Sequence, residues 1–344
     1  MISVGIIGGS GYTGKKLIRF CAAHPFIEEY KIYGNNSAGG KICDIFPELN
    51  EVIENSVIES IENVSYEHDA YFIALPHGEA LNYVPALFER GKKIIDLGGD
   101  YRLNSPELYS KWYGKKHNSP LLLKEKIYGL ADYSGTDYSE KNFVANPGCY
   151  PTAVLLSLLP VVKSFKDKIL SVSVAAYSGT SGAGKTPKLE LLMSEMDGDV
   201  SAYKLNSHQH QPEILQQLNE AGFDSPFSFA AHLLPAAVGI YATSFIHLKS
   251  SVEEKELKNA FEEFYKDSPF IRLREAPPHL NWVTGTNFCD INFSMKDKII
   301  IITSAIDNLI KGAGGQAMQN MNKLFGWDEK SGILNQGVKN VQIY

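Results

Sequence analysis

The chain has 344 residues, 44% hydrophobic and 21% charged, a balance that suits a globular protein long enough for two cores. Its net charge is −6, with acids and bases mixed along the chain and no basic stripe or tail, which argues against a nucleic-acid partner. The longest apolar stretch, residues 151–162, is broken by Ser157 and Pro160 and is shorter than the ~20 residues of a membrane span. The four cysteines (Cys21, Cys43, Cys149, Cys289) lie far apart, with neither metal-ligand nor disulfide-framework spacing. No metal, no membrane and a reducing cytoplasm are expected.

In chain order, Ser3–Ile7 reads as a strand, Gly8–Gly14 as a glycine turn and Tyr12–Ala23 as a helix. Strands follow at Glu29–Tyr33, Ala70–Leu75, Lys92–Leu97 and Asn142–Ala145, with a helical segment over Gly78–Arg90. Strands alternating with helices predict a parallel α/β sheet of Rossmann type. An apolar helix begins after Pro151. Beyond it Ile169–Tyr177, Phe227–Leu234, Ile240–Leu248 and Asn287–Ser304 are β-rich, separated by helices near Pro187–Glu195 and Val252–Tyr265. That pattern predicts an α+β second domain with a larger mixed or antiparallel sheet. A helix opened by glycines, Gly312–Phe325, ends the pass.

The first loop contains Gly9-x-Gly11-x-x-Gly14 between a strand and a helix. Alone the motif is weak. In strand–turn–helix order it is the setting in which backbone N–H groups and a helix N-terminus receive a dinucleotide pyrophosphate. Gly9, Ser10, Gly11, Tyr12, Thr13 and Gly14 are the candidate cofactor residues. The second strand ends in Gly34-Asn35-Asn36-Ser37 with no acid to meet a ribose 2′-OH, and Lys41 follows. Ser37 and Lys41 fit a 2′-phosphate, so NADP(H) is the expected cofactor.

Gly179–Thr186, GTSGAGKT, fits the phosphate-binding string G-x-x-x-x-G-K-[ST] letter for letter. No apolar strand ending in a metal-binding Asp follows it, so a nucleotide hydrolase or kinase is the lesser reading. A dinucleotide-binding sensor without catalysis is another.

VANPGCYPT places Cys149 after a strand and a Pro-Gly turn, at the start of an apolar helix. The helix dipole and its free N–H groups favour negative charge on sulfur there, as a nucleophile requires. In SHQHQPEI, His208 and His210 are candidate proton carriers, and Glu213, in the first turn of a helix opened by Pro212, can orient an imidazole. A dinucleotide, a poised thiol and a histidine suggest attack on an activated acyl carbon, then hydride reduction of the thioester.

Taken in order, GGSGYTGKKL, ALPHGEA, DLGGDYRL, ANPGCYPTA, SGTSGAGK, HQHQPEI, HLLP and DNLIKGAGGQAMQNMN resemble the N-acetyl-γ-glutamyl-phosphate reductases of arginine biosynthesis, across nearly the whole chain. The resemblance implies Cys149 as nucleophile and the His208/His210 pair as acid/base, with His210 favoured as the nearer to Glu213. It implies Arg102 near the leaving phosphate, with Asn146, Ser181, Gly182 and Lys185 at the substrate. Pro76, His77, Ser178, Gly179, Asn308 and Gly312 would border the cofactor. A discontinuous nucleotide domain (1–148 and 308–344) would enclose a catalytic and dimerisation domain (149–307), in a homodimer or homotetramer acting on a small acyl phosphate. The chain departs from the family pattern after His232-Leu233-Leu234-Pro235. Ala236-Ala237-Val238-Gly239 stands where Met-x-Arg-Gly is usual, which opens the substrate to an N-succinyl group. Aspartyl phosphate is the remaining substrate of the same chemistry.

Overall fold

The computed structural model describes residues 1–334. They fall into two compact units: Met1–Ala131 with Thr136–Pro147 and the segment from Ala313 on, and Asp132–Gly135 with Gly148–Gly312. The division differs in three places from the expected one, the first being that Gly148 belongs to the second unit. The second crossing falls after Gly312 rather than before Asn308, and four residues, Asp132–Gly135, belong to the second unit.

The first unit holds a seven-stranded sheet: β1 (Ile2–Ile7), β2 (Ile27–Gly34), β3 (Glu59–Ser60), β4 (Ala70–Ile73), β5 (Lys93–Asp96), β6 (Ile127–Tyr128) and β7 (Phe143–Ala145). Its order is β3-β2-β1-β4-β5-β7-β6, and every pairing is parallel. Val4, Ile6, Ile7, Phe72, Ile73, Ile94 and Ile95 are fully buried. Such near-continuous apolar strands are what a parallel sheet covered on both faces requires. The strand order reverses between β1 and β4, where open parallel sheets bind ligands beyond the carboxyl ends of the strands. The helix Gly315–Leu324 completes the unit with buried polar side chains that are all paired or packed. Asn320 Nδ2, for one, donates to Gly129 O (2.8 Å) and to Asn146 Oδ1 (2.9 Å).

The second unit holds β8 (Ile169–Ser178), β9 (Ser201–Tyr203), β10 (Phe227–Leu233), β11 (Ile240–Leu248), β12 (Ile271–Leu273), β13 (Cys289–Lys296) and β14 (Ile299–Ile306) in the order β12-β13-β14-β11-β8-β10-β9. β8/β10 and β12/β13 are parallel and the other pairs antiparallel, so the sheet is mixed. The helix Cys149–Phe165 packs on β8, β11 and β14, buried along nearly its whole length. Pro160 interrupts it and supplies no N–H to Leu156 O four residues earlier. The hydroxyl of Tyr265 donates to that carbonyl instead (2.5 Å). Tyr265 ends the helix Glu254–Tyr265, which is opened by a reciprocal Glu253/Glu256 capping box.

Two expected elements differ. Asn287–Ser304 is a hairpin, turned at Asp297 with φ 55°. Pro187–Glu195 yields only a short turn, Leu189–Leu191, followed by the four-residue helix Met193–Met196. Leu189 and Leu192 stay exposed, so little burial rewards a longer helix. No helix among the described residues is long and apolar enough to cross a membrane.

Candidate active site

The glycine loop of the first unit separates two reasons for glycine. Gly8 has φ +92°, and a side chain there would strike Ala74 O; a Cβ on Gly9 would meet Ile32, and one on Gly14 would meet the Gly9 backbone. These three are demanded by the protein's own packing. Gly11 is different. Its φ is −84°, and the nearest atom to an added Cβ is Gly8 O at 3.7 Å. Neither conformation nor packing requires glycine there, which leaves room for a ligand to approach the backbone. The helix Tyr12–Ala23 starts at this point with no side-chain cap and no acid in its first turn, open to an anion. At the end of β2, Ser37 Oγ is buried without a hydrogen-bond partner among the described residues, and Lys41 is exposed nearby in the chain. These groups fit the adenosine end of a phosphorylated dinucleotide. Pro76 and His77 lie exposed beyond β4, where His77 Nδ1 accepts from the Gly99 N–H (3.0 Å).

Cys149 is the first residue of its helix and is half-buried, whereas Cys21, Cys43 and Cys289 are buried. Burial pushes the Cys21 and Cys289 thiols up, as befits inert core cysteines. The helix has no side-chain cap and no acid in its first turn. Gly148, its N-cap, donates its N–H to Glu213 Oε1 (2.8 Å). Glu213, the residue expected to orient an imidazole, is fully buried, and through this contact it is also a tie on the backbone that carries the thiol. Gly312 lies against Cys149. A Cβ on Gly312 would stand 2.8 Å from Cys149 Cβ, so glycine is required by the cysteine itself.

The two histidines have different environments. His208 is buried; its Nδ1 accepts from His210 N–H (3.1 Å) and its Nε2 meets Tyr203 Oη (3.3 Å). Tyr203 in turn donates to Tyr150 Oη (3.2 Å), and Tyr150 donates to His232 O (2.9 Å). This chain assigns the proton of His208 to Nε2. Burial, and then Lys204, lower its pKa from 6.5 to about 4, so the ring stays neutral at pH 7. His210 is half-buried at the first position of the helix His210–Glu220. Its ring stands edge-on to Tyr150, the neighbour of Cys149 in the chain (centroids 5.9 Å apart).

The stretch GTSGAGKT lacks the geometry of an ATP loop. The N–H groups of Gly179, Thr180 and Ser181 donate to Gly239 O (2.9 Å), Ala236 O (2.9 Å) and Ala237 O (3.0 Å). They are occupied, so the loop's first three amides form no phosphate cradle. Gly179 is glycine because a Cβ would lie 2.7 Å from Val238 N. Ser178 is buried, with its hydroxyl on Gly179 O (2.9 Å). No helix starts at Lys185, the next helical turn beginning at Leu189; Gly182 and Lys185 are exposed. Asn308, expected by the nicotinamide, accepts from Gly239 N–H (2.7 Å) and donates to Ser181 Oγ (3.0 Å), pinning the 179–182 and 236–239 segments together.

In the first unit Arg102, expected at the leaving phosphate, is buried. Its guanidinium donates to Asn146 O (2.8 Å) and Leu97 O (2.6 Å). Asn146 is fully buried beyond β7 and bonds with Asn320. Two acids of the DLGGDYRL block went unread in the sequence. Asp100 accepts from Gly78 N–H (2.6 Å), Ala80 N–H (3.2 Å) and Tyr109 Oη (2.9 Å), shaping the LPHGEA turn. Asp96 is raised to about 7 by burial and then by Asp100. Their spacing around the Gly-Gly pair was the available signal.

A dinucleotide-type sheet in one unit and a helix-terminal cysteine in the other fit an aldehyde dehydrogenase of the semialdehyde class, and the family models give that class. Residues 3–139 match the family model "Semialdehyde dehydrogenase, NAD binding domain", and residues 149–308 match "Semialdehyde dehydrogenase, dimerisation domain". The chain is 41% identical over 336 residues to the N-acetyl-gamma-glutamyl-phosphate reductase of Dehalococcoides mccartyi (strain CBDB1), covering 96% of each chain. It is 38% identical over 341 residues to that of Geobacillus stearothermophilus, covering 97% of this chain and 98% of the relative. The solved aspartate semialdehyde dehydrogenase II from Vibrio cholerae shares the fold at a TM-score of 0.73 and 13% identity, over 95% of this chain and 99% of that one. The chain belongs to the N-acetyl-gamma-glutamyl-phosphate reductase family, a family of oxidoreductases.

Proposed function

We propose that the protein reduces N-acetyl-γ-glutamyl phosphate to N-acetyl-glutamate 5-semialdehyde and phosphate, with NADPH as reductant and Cys149 as nucleophile. The relatives' shared name supports the substrate. The observation that carries the chemistry is Cys149 itself, half-exposed at the start of an uncapped helix with its preceding amide held by buried Glu213.

The thiolate attacks the acyl carbon, the C–S bond forms, the C–O bond to phosphate breaks, and phosphate leaves with its electron pair. NADPH, when bound at the glycine loop, supplies the hydride that turns the thioester into a thiohemiacetal. His210 takes the thiol proton before attack and returns a proton when the C–S bond breaks and the aldehyde leaves. His208 holds the first turn of the His210 helix in place. Lys185 and Ser181 are assigned to the acyl phosphate, and Ser37 and Lys41 to the 2′-phosphate. Arg102 is a positioning residue for Asn146. Within the second unit, Tyr241, Thr243, Phe245, Ile299 and Ile301 project from the sheet face opposite the helices, and a second copy of the chain is assigned to that face; biosynthesis of this kind places the enzyme in the cytoplasm.

The test is the reverse reaction: reduction of NADP⁺ with phosphate and N-acetyl- or N-succinyl-glutamate semialdehyde. Phosphate-dependent turnover that vanishes in Cys149→Ser is expected, with the N-acetyl aldehyde preferred. Turnover retained by Cys149→Ser would refute the thioester route. A preference for the N-succinyl or aspartate aldehyde would reassign the substrate.

A further inference from the structure

An ion pair lies fully buried in the second unit. Lys311 Nζ meets Asp132 Oδ2, and both side chains have no exposed surface. Buried charges are costly unless they are paired, so a lysine kept here has a reason beyond solubility. Around Asp132, Ser268 Oγ donates to its carbonyl (3.1 Å), and the next residue, Tyr133, stacks on Phe264 (5.7 Å between centroids). The Lys311 ammonium also lies over the Phe270 ring, 5.5 Å from its centroid.

The lysine sits inside a single π-type turn, Ile310–Gly314, in which Gly312 N–H bonds back five residues to Asp307 O (2.9 Å). Such turns are less stable than α-turns and recur at functional sites. Asp307 holds the start of the turn through Leu309 N–H (2.8 Å) and Ile310 N–H (3.0 Å). The residue after Lys311 is Gly312, the residue packed against Cys149. A shift of the turn therefore moves the wall behind the nucleophile.

We infer that the buried Lys311–Asp132 pair is a positioning device for Cys149. By anchoring the π-turn it sets Gly312 against the cysteine and fixes where the sulfur stands. Neither charge touches substrate or cofactor in this role. The inference rests on Cys149 being the nucleophile.

Three variants test it: Lys311→Met, Asp132→Asn and the two combined. Each is followed by kcat in the reverse reaction, KM for NADP⁺, the rate of Cys149 alkylation by iodoacetamide read on the labelled peptide, and the thermal midpoint. Each single variant removes one member of the buried pair and lowers the midpoint; the combined variant removes both and regains it. In all three, kcat and the alkylation rate fall about 10- to 100-fold, the scale of a small misplacement of a reacting group, with KM for NADP⁺ unchanged. If the combined variant regains kcat and alkylation rate along with the midpoint, the pair is merely structural and the inference is overturned. It is likewise overturned if every variant keeps wild-type kcat and alkylation per folded molecule. Turnover by Cys149→Ser would instead defeat the nucleophile reading, and the positioning role with it.

Discussion

At the scale of single residues, the glycine loop shows how a fold's demand and a ligand's demand can be told apart. Gly14→Ala would drive a methyl into the Gly9 backbone and disturb the unit itself. Gly11→Ala meets only Gly8 O, at an ordinary contact distance of 3.7 Å, and an ordinary φ. Gly11→Ala should therefore melt like wild type yet bind NADPH about tenfold more weakly, ~1.4 kcal/mol, in a fluorescence titration. Equal affinity would mean that no ligand approaches that backbone. The second residue-scale consequence concerns pH. His208 has a folded pKa of about 4 against 6.5 unfolded. Between those values the unfolded chain binds a proton that the native ring does not, so stability is full above about pH 6.5 and is lost as pH falls toward 4. From pH 7 to pH 5 the loss amounts to about 2 kcal/mol. His208→Asn retains an acceptor for the His210 N–H and lacks the titration. Urea unfolding at the two pH values should show a shallower drop for this variant. Parallel curves would mean that His208 does not stay neutral in the fold.

At the scale of elements, the helix Cys149–Phe165 contains a proline that should break it, and Tyr265 from another helix repairs the break. Tyr265→Phe leaves Leu156 O buried and without that donor, a loss of about 1–3 kcal/mol in urea unfolding. Pro160→Ala restores a backbone N–H to the same carbonyl. The double variant should recover most of the loss, and simple additivity of the two changes would refute the coupling. The same pair shows what a sequence can carry. β1, the glycine turn and the helix Tyr12–Ala23 were legible because their signals are local. The helix Pro106–Tyr113 was equally legible though unread: Ser105 caps it through Glu107 and Leu108 N–H, Pro106 opens it, and Gly114 closes it at φ 68°. The string GTSGAGKT misleads for the opposite reason. Its letters are local, but the three carbonyls that take its amides lie more than fifty residues away. Leu156–Tyr265 and Asp132–Lys311, 109 and 179 residues apart, leave no trace in one sequence. The separate settings of His208 and His210 likewise depend on Tyr203, a partner that only the fold supplies.

At the scale of the whole molecule, the mixed sheet of the second unit has two unlike faces. Ala242, Ser244 and Ile246 on β11 are buried on the side of the Cys149–Phe165 helix. The alternate residues Tyr241, Thr243, Phe245 and His247 point the other way, as period-two geometry requires. Across the ladder Phe245 stands opposite Ser173 on β8 and Ile301 on β14, and His247 stands opposite Ile299. Phe245, Ile299 and Ile301 are 36%, 39% and 38% exposed in the single chain. A cluster of large apolar side chains on an ordered sheet marks an interaction face, and with residues 149–308 matching a dimerisation domain a second copy is the occupant proposed for it. In a twofold interface the same strands meet themselves, so each lysine introduced appears twice, desolvated beside its own copy. Phe245→Lys with Ile301→Lys should leave the fold intact, because neither side chain is part of the core beneath the helix. It should weaken association by at least about 100-fold, roughly 3 kcal/mol, so that sedimentation finds one chain where the wild type sediments as an oligomer. Since Cys149, His210, Glu213 and Gly312 all belong to one unit of one chain, the monomer should keep its Cys149 alkylation rate. A double variant that still sediments with the wild type would move the interface elsewhere. A monomer whose thiol has lost its reactivity would show that the second copy supports the site through this sheet.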